Sequence, residues 1–156
     1  MDRRSFFRRV KTSPFKSFIH PPYFDKKEDF LKCYECESKD CLNACNTKVI
    51  KIIDEKPTLD FTNFGCDFCD ECAKSCKKEV LSVQYKKDKI NAEMIINPQK
   101  CLAWNQTICS SCYDICEEYA IIYKGMLNPV IDLEKCTACG YCKGVCPTDA
   151  IEIKIS

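Results

Sequence analysis

The sequence predicts an α+β fold: two tandem modules of short strands, hairpins and short helices, preceded by an irregular basic N-terminal arm. Three observations predict it. Sixteen of the 156 residues are cysteine, and they fall into four groups of four. The first cysteines of the groups, Cys33, Cys66, Cys101 and Cys136, are separated by 33, 35 and 35 residues, the fixed period of an internal repeat. Each group is followed by a short apolar run, Val49–Ile53, Val80–Tyr85, Ala120–Tyr123 or Ala150–Ile155, and the last of these alternates as a half-buried strand does.

The groups carry the chemistry. Cys136, Cys139, Cys142 and Cys146, with Pro147 behind them, have the Cys-x2-Cys-x2-Cys-x3-Cys-Pro spacing that holds a [4Fe-4S] cubane in bacterial ferredoxins. Three thiolates three residues apart reach three corners of one cube. The fourth lies one residue too far along and reaches a neighbouring cube, so one such run implies a second. Cys66, Cys69, Cys72 and Cys76 repeat the spacing without the proline. Cys33, Cys36, Cys41 and Cys45 have two extra residues before the third cysteine, and Cys101, Cys109, Cys112 and Cys116 have five extra before the second. All four groups keep the final x3 step. All sixteen cysteines are therefore expected to bind iron, as four [4Fe-4S] clusters, or three if an irregular group is unoccupied. Disulfides and four-cysteine zinc sites are the competing uses of such spacing. Three evenly spaced cysteines followed by a fourth favour the cluster.

Taken in order, residues 1–27 form the arm. It carries Arg3, Arg4, Arg8, Arg9, Lys11, Lys16, Lys26 and Lys27 against Asp2 and Asp25, a net of +6 in a chain whose formal net charge is +1. Pro14, Pro21 and Pro22 break any period. The Arg3-Arg4-Ser5-Phe6-Phe7-Arg8 stretch is similar to the core of a twin-arginine export signal. The following residues, interrupted by lysines and a proline, do not supply an apolar region, and export is not expected. The arm reads as a solvated tail or as a docking arm for an acidic partner. His20, the one histidine, has no evident site around it.

Residues 28–88 form the first module and residues 90–156 the second, each an 8Fe-8S ferredoxin-like unit of two cluster loops, a short helix after the fourth cysteine and a hairpin. The division rests on connecting lengths: 20 residues between Cys45 and Cys66, 19 between Cys116 and Cys136, and 24 between Cys76 and Cys101. In this scheme Cys33, Cys36 and Cys41 share a cluster with Cys76, and Cys66, Cys69 and Cys72 share one with Cys45. Cys101, Cys109 and Cys112 pair with Cys146, and Cys136, Cys139 and Cys142 with Cys116. A nested pairing, first group with fourth and second with third, is the alternative. Extended stretches Thr58–Phe61, Ala92–Ile96 and Val130–Leu133 lead into the next groups. Tyr34, Phe64, Phe68, Tyr113 and Tyr141 are expected to shield the clusters, and Trp104 to cover the third.

No apolar run is long enough for a membrane span, and there is no phosphate-binding glycine loop and no nucleophile–base pair. A non-catalytic electron-transfer or accessory protein is expected, with no nucleic-acid partner. Four oxidised cubanes would move the net charge from +1 to about −7.

Arg3-Arg4, Pro21-Pro22 and above all the long first gap of Cys101-Leu-Ala-Trp-Asn-Gln-Thr-Ile-Cys109 resemble the NapF-type ferredoxin accessory proteins of periplasmic nitrate reductase systems. The Glu37-Ser38-Lys39-Asp40 insertion departs from that pattern. The resemblance implies a cytoplasmic iron–sulfur protein that assists maturation, or cluster loading or reduction, of a molybdenum-containing nitrate reductase catalytic subunit. A general polyferredoxin carrier between redox partner proteins is the alternative.

Overall fold

The computed structural model describes residues 18–155. Most of the basic arm lies outside the described residues. A 3₁₀ segment, Lys27–Glu35, leads into α1 (Asp40–Ala44), then the hairpin β1 (Ile50–Ile53) and β2 (Lys56–Leu59), then α2 (Glu71–Lys74). A short 3₁₀ turn, Val83–Tyr85, precedes β3 (Ala92–Ile96); another, Ala103–Asn105, precedes α3 (Ser111–Asp114). The hairpin β4 (Ile121–Lys124) and β5 (Leu127–Ile131), α4 (Tyr141–Gly144) and β6 (Ile151–Ile155) complete the chain. The strands form three antiparallel pairs, β1–β2, β4–β5 and β3–β6. In the last, Ala92 lies opposite Ile155 and Ile96 opposite Ile151.

The fourfold repeat is written in the backbone. Three residues after the final cysteine of each group the chain turns left-handed, at Lys48, Glu79, Tyr119 and Asp149, with φ between 49° and 57°. Each of these residues donates its N–H to the carbonyl of that cysteine, at 3.1–3.3 Å. The turn reverses the chain out of the loop and, after Lys48, Tyr119 and Asp149, leads into the strand that follows. At Asp54 and Glu55 consecutive positive φ values of 48° and 62° supply the twist that a two-residue hairpin requires.

Three features differ from the expectations. The short helix lies between the third and fourth cysteines rather than after the fourth: α1, α2, α3 and α4 carry Cys41, Cys72, Cys112 and Cys142. An x3 step is about one helical turn, so the spacing itself calls for a turn there. Second, the C-terminal part of the assigned arm is core. Tyr23 and Phe24 are buried, Pro21 and Pro22 fully so, and Ile19 accepts a hydrogen bond from the Leu59 N–H at 2.7 Å. Third, Val80–Tyr85 does not form a strand. Its place corresponds to β6, and its partner segment is Ile19–Phe24, where Pro21 and Pro22 have no N–H to give a ladder. Two bonds remain, from Ser82 N–H to Tyr23 O and from Lys87 N–H to Pro22 O, both 2.8 Å.

Packing joins the two halves. α1 packs against α2 and α3 against α4. One buried cluster runs from Ile19 through Phe30, Ile50, Phe61 and Met94 to Ile151. Phe30 is wholly buried, stacked on His20 at 3.9 Å and edge-on to Phe24 at 5.1 Å. The connecting residue Ile90 is buried and donates to Thr137 O at 2.9 Å. Among the described residues no helix is long and apolar enough to cross a membrane.

Candidate iron–sulfur sites

All sixteen cysteines are free thiols, most of them buried or half-buried. They come together in four sets. Burial pushes the Cys41 thiol up to about 11, and the nearby thiolates of Cys76, Cys33 and Cys36 raise it further. In the second set burial holds Cys72 far above the ordinary thiol range, with Cys66, Cys45 and Cys69 adding to it. The third set is Cys112, pushed up to about 11 by burial, with Cys101, Cys109 and Cys146 around it. In the fourth, burial and the charges of Cys139, Cys136 and Cys116 raise Cys142 strongly. In each neighbourhood three thiols come from one group and a fourth from the other group of the same half, and Cys72 and Cys142 also feel Cys41 and Cys112 of the adjoining set.

Three of the sets also line a common cavity. Cys45, Cys66, Cys69 and Cys72 surround one with Pro21 and Tyr23, and Cys101, Cys109, Cys112 and Cys146 surround another with Tyr123. Cys116, Cys136, Cys139 and Cys142 open onto a larger hollow of about 820 Å³, which Cys66, Phe68 and Tyr141 also line. Among the described residues no three His, Cys, Asp or Glu side chains converge closely enough to hold a single metal ion. The thiols ring a space instead.

The donor chemistry fits an iron–sulfur cluster. Soft thiolates select such clusters, and a cationic iron core displaces thiol protons that burial otherwise retains. Donors also point at the sulfurs. The N–H groups of Leu81 and Ala150 reach Cys76 Sγ at 3.4 Å and Cys146 Sγ at 3.2 Å. Two residues beyond a cysteine, the hydroxyls of Ser38, Thr47 and Thr148 lie 3.6–4.0 Å from Cys36, Cys45 and Cys146 Sγ, and the Cys109 thiol donates to the Ser111 hydroxyl at 3.8 Å. Such contacts to ligand sulfurs tune reduction potentials.

Several contributing residues escaped the sequence reading. Tyr23, assigned to the arm, lies beside the second set, and its hydroxyl accepts the Asp70 N–H at 3.1 Å. Tyr123 donates to the Cys109 carbonyl and meets Tyr113 edge-on at 5.8 Å. Lys39, inside the irregular first loop, donates to Cys33 O at 2.6 Å and Glu55 O at 2.8 Å, pinning the inserted residues to the β1–β2 turn. The repeated Cys-x-Ser/Thr pattern was the available signal for the hydroxyls; nothing local marked Tyr23 or Lys39. Trp104 is not among the residues lining the third cavity: its indole N–H donates to Pro129 O at 3.0 Å, bracing the long insertion on β5. Tyr34 and Phe64 are more than half exposed and do not shield a site.

The comparisons agree with this geometry. A family model described as "4Fe-4S binding domain" matches residues 129–152, which contain Cys136, Cys139, Cys142 and Cys146. A "Ferredoxin-type protein NapF" of Escherichia coli strain K12 is 31% identical over 139 residues, covering 85% of this chain and 82% of the relative. The chain belongs to the NapF family. A further NapF protein, from Haemophilus influenzae, is 31% identical over 140 residues, 85% of this chain and 77% of its own. A "Methylamine utilization ferredoxin-type protein MauM" of Methylorubrum extorquens is 24% identical over 159 residues, 88% of this chain and 71% of its own. This NapF-family chain is thus a ferredoxin-type iron–sulfur protein.

Proposed function

We propose that the chain holds four [4Fe-4S] clusters, one in each set of thiols, in two tandem two-cluster modules. We further propose that it works in the cytoplasm on the molybdenum-containing catalytic subunit of a periplasmic nitrate reductase, assisting that subunit's maturation by helping to load or reduce its cluster. The observation that carries the reading is the gathering of sixteen cysteines into four all-thiol sets. Family membership supports the choice of client.

When bound, each cluster supplies reversible one-electron storage. The chain's own residues bury the thiolates, exclude water from them and aim N–H and O–H donors at their sulfurs. Residues 1–17 carry six arginines and lysines against one aspartate and provide an arm suited to an acidic client surface. The alternative, a general carrier between redox proteins, is favoured by the similarity to MauM proteins, whose name attaches them to methylamine utilisation.

Iron and acid-labile sulfide on anaerobically purified protein test the first part, with about sixteen of each per chain expected. Zinc without sulfide would overturn it. Co-purification with the unexported catalytic subunit, before and after replacing the basic residues of segment 1–17 with glutamine, tests the second. Binding that is lost while iron is retained supports the accessory role, and electron delivery to unrelated acceptors without any such binding supports the carrier.

A further inference from the structure

The two regular cysteine loops meet back to back across the boundary between the halves. The Cys66 N–H donates to the Cys139 carbonyl at 2.8 Å, so residues of two different thiol sets share a backbone hydrogen bond. Beside it the Tyr141 hydroxyl donates to the Asp67 carboxylate. Three of the chain's four glycines lie on this seam. A Cβ on Gly65 would stand 2.5 Å from the Tyr141 ring and 2.7 Å from Cys139 O. One on Gly144 would stand 2.6 Å from Asn63 O, and Gly140 lies directly against the Phe61 ring. Within each half the helices carrying the third cysteines pack together, α1 on α2 and α3 on α4. The sets containing Cys66 and Cys136 therefore adjoin across the seam.

We infer that this glycine-lined seam, residues 61–67 against 137–144, is the junction through which the two modules exchange electrons. Gly65, Gly144 and the Tyr141–Asp67 pair act as positioning residues. The inference rests on the four-cluster reading. The exchange moves one electron and makes or breaks no bond. A reduced centre in one half is oxidised as its neighbour in the other half is reduced, with one-electron redox proteins as donor and acceptor outside the chain. The regular loops face each other across the seam.

Gly144→Ala tests this at the seam, because alanine is otherwise the better helix residue there, and the iron content reports any effect on the ligand loop between Cys142 and Cys146. The readouts are iron and sulfide per chain and the EPR spectrum of the fully reduced protein. In the native protein, centres adjoining across the seam broaden one another and relax one another's spins. Gly144→Ala should keep about sixteen iron, with narrower lines and saturation at lower microwave power. Tyr141→Phe, which keeps the ring and removes the link to Asp67, should move both in the same direction by less. Gly125→Asn, at a turn with open space around it and a φ of 67° that asparagine tolerates, should leave the spectrum native. Full iron with an unaltered spectrum in both seam variants overturns the inference and leaves the four-cluster reading standing. Native protein without iron and sulfide overturns that reading itself. If Gly144→Ala loses iron, Tyr141→Phe decides: a narrowed spectrum supports the junction and an unchanged one refutes it.

Discussion

Replacing Lys39 with methionine should selectively loosen the first cysteine group. Lys39 sits in the insertion that makes this loop irregular, with its side chain only 16% exposed. It gives two charged hydrogen bonds, to Cys33 O at 2.6 Å and Glu55 O at 2.8 Å, and an ion pair to the Glu55 carboxylate at 2.9 Å. Methionine keeps the length and apolar stem and removes all three. The ion pair counts for little, since Glu55 is 56% exposed. A hydrogen bond from a charged donor is worth about 1.5–3 kcal/mol, and water can reach part of the vacated space. A net cost of about 2–3 kcal/mol follows for the closed loop. At 1.4 kcal/mol per tenfold, the open loop becomes about 30- to 150-fold more populated. Anaerobic incubation with an iron chelator reads this as a fast phase. About a quarter of the iron and sulfide should leave that much sooner than in the native protein, the rest at the native rate. Release at the native rate throughout, or acceleration of all the iron together, would refute the reasoning that Lys39 preorganises this one site.

Phe30→Ala removes a wholly buried ring that holds His20 and Phe24. It should cost about 3–5 kcal/mol, read as a lower apparent melting temperature of the holoprotein. A near-neutral result would show that Ile19–Phe24 is not part of the core. His20 is held below its ordinary value of 6.5, chiefly by burial, with Lys56 and Lys27 adding to it and the Pro57 carbonyl opposing. The unfolded chain therefore takes up a proton before the folded one. Stability is full above pH 6.5 and falls as pH drops from there through the lowered folded value. His20→Gln should flatten that part of the melting-temperature profile relative to the native protein, and equal slopes would exclude His20 as the cause. Stripping all iron should abolish cooperative unfolding and most far-ultraviolet dichroism, because the elements are three to nine residues long and depend on the loops they frame. A native-like melt of the iron-free chain would contradict this.

Cysteine spacing made the fourfold repeat legible, and the apolar runs around the groups marked the hairpins β1–β2 and β4–β5. Alternation in Ile151–Ile155 and the apolar run Ala92–Ile96 marked both as extended, while their pairing and register came only with the fold. The role of residues 18–24 was not legible. Consecutive prolines read as irregular, and they are irregular; burial of irregular backbone is a tertiary fact, set here by Val49, Ile50 and Leu59 needing a cover. Val80–Tyr85 misled for the same reason, since its strand propensity had no partner able to complete a ladder. Lys39 reads as a surface lysine in a polar insertion, and only the fold brings the Glu55 carbonyl within its reach.

Tyr23 has a consequence of its own. It lies a few residues beyond the basic segment 1–17, is almost wholly buried, and touches the second thiol set on one side while receiving the Asp70 N–H on the other. Were the proposed client to take hold of the basic segment, five residues of chain would separate that grip from the wall of the second thiol set.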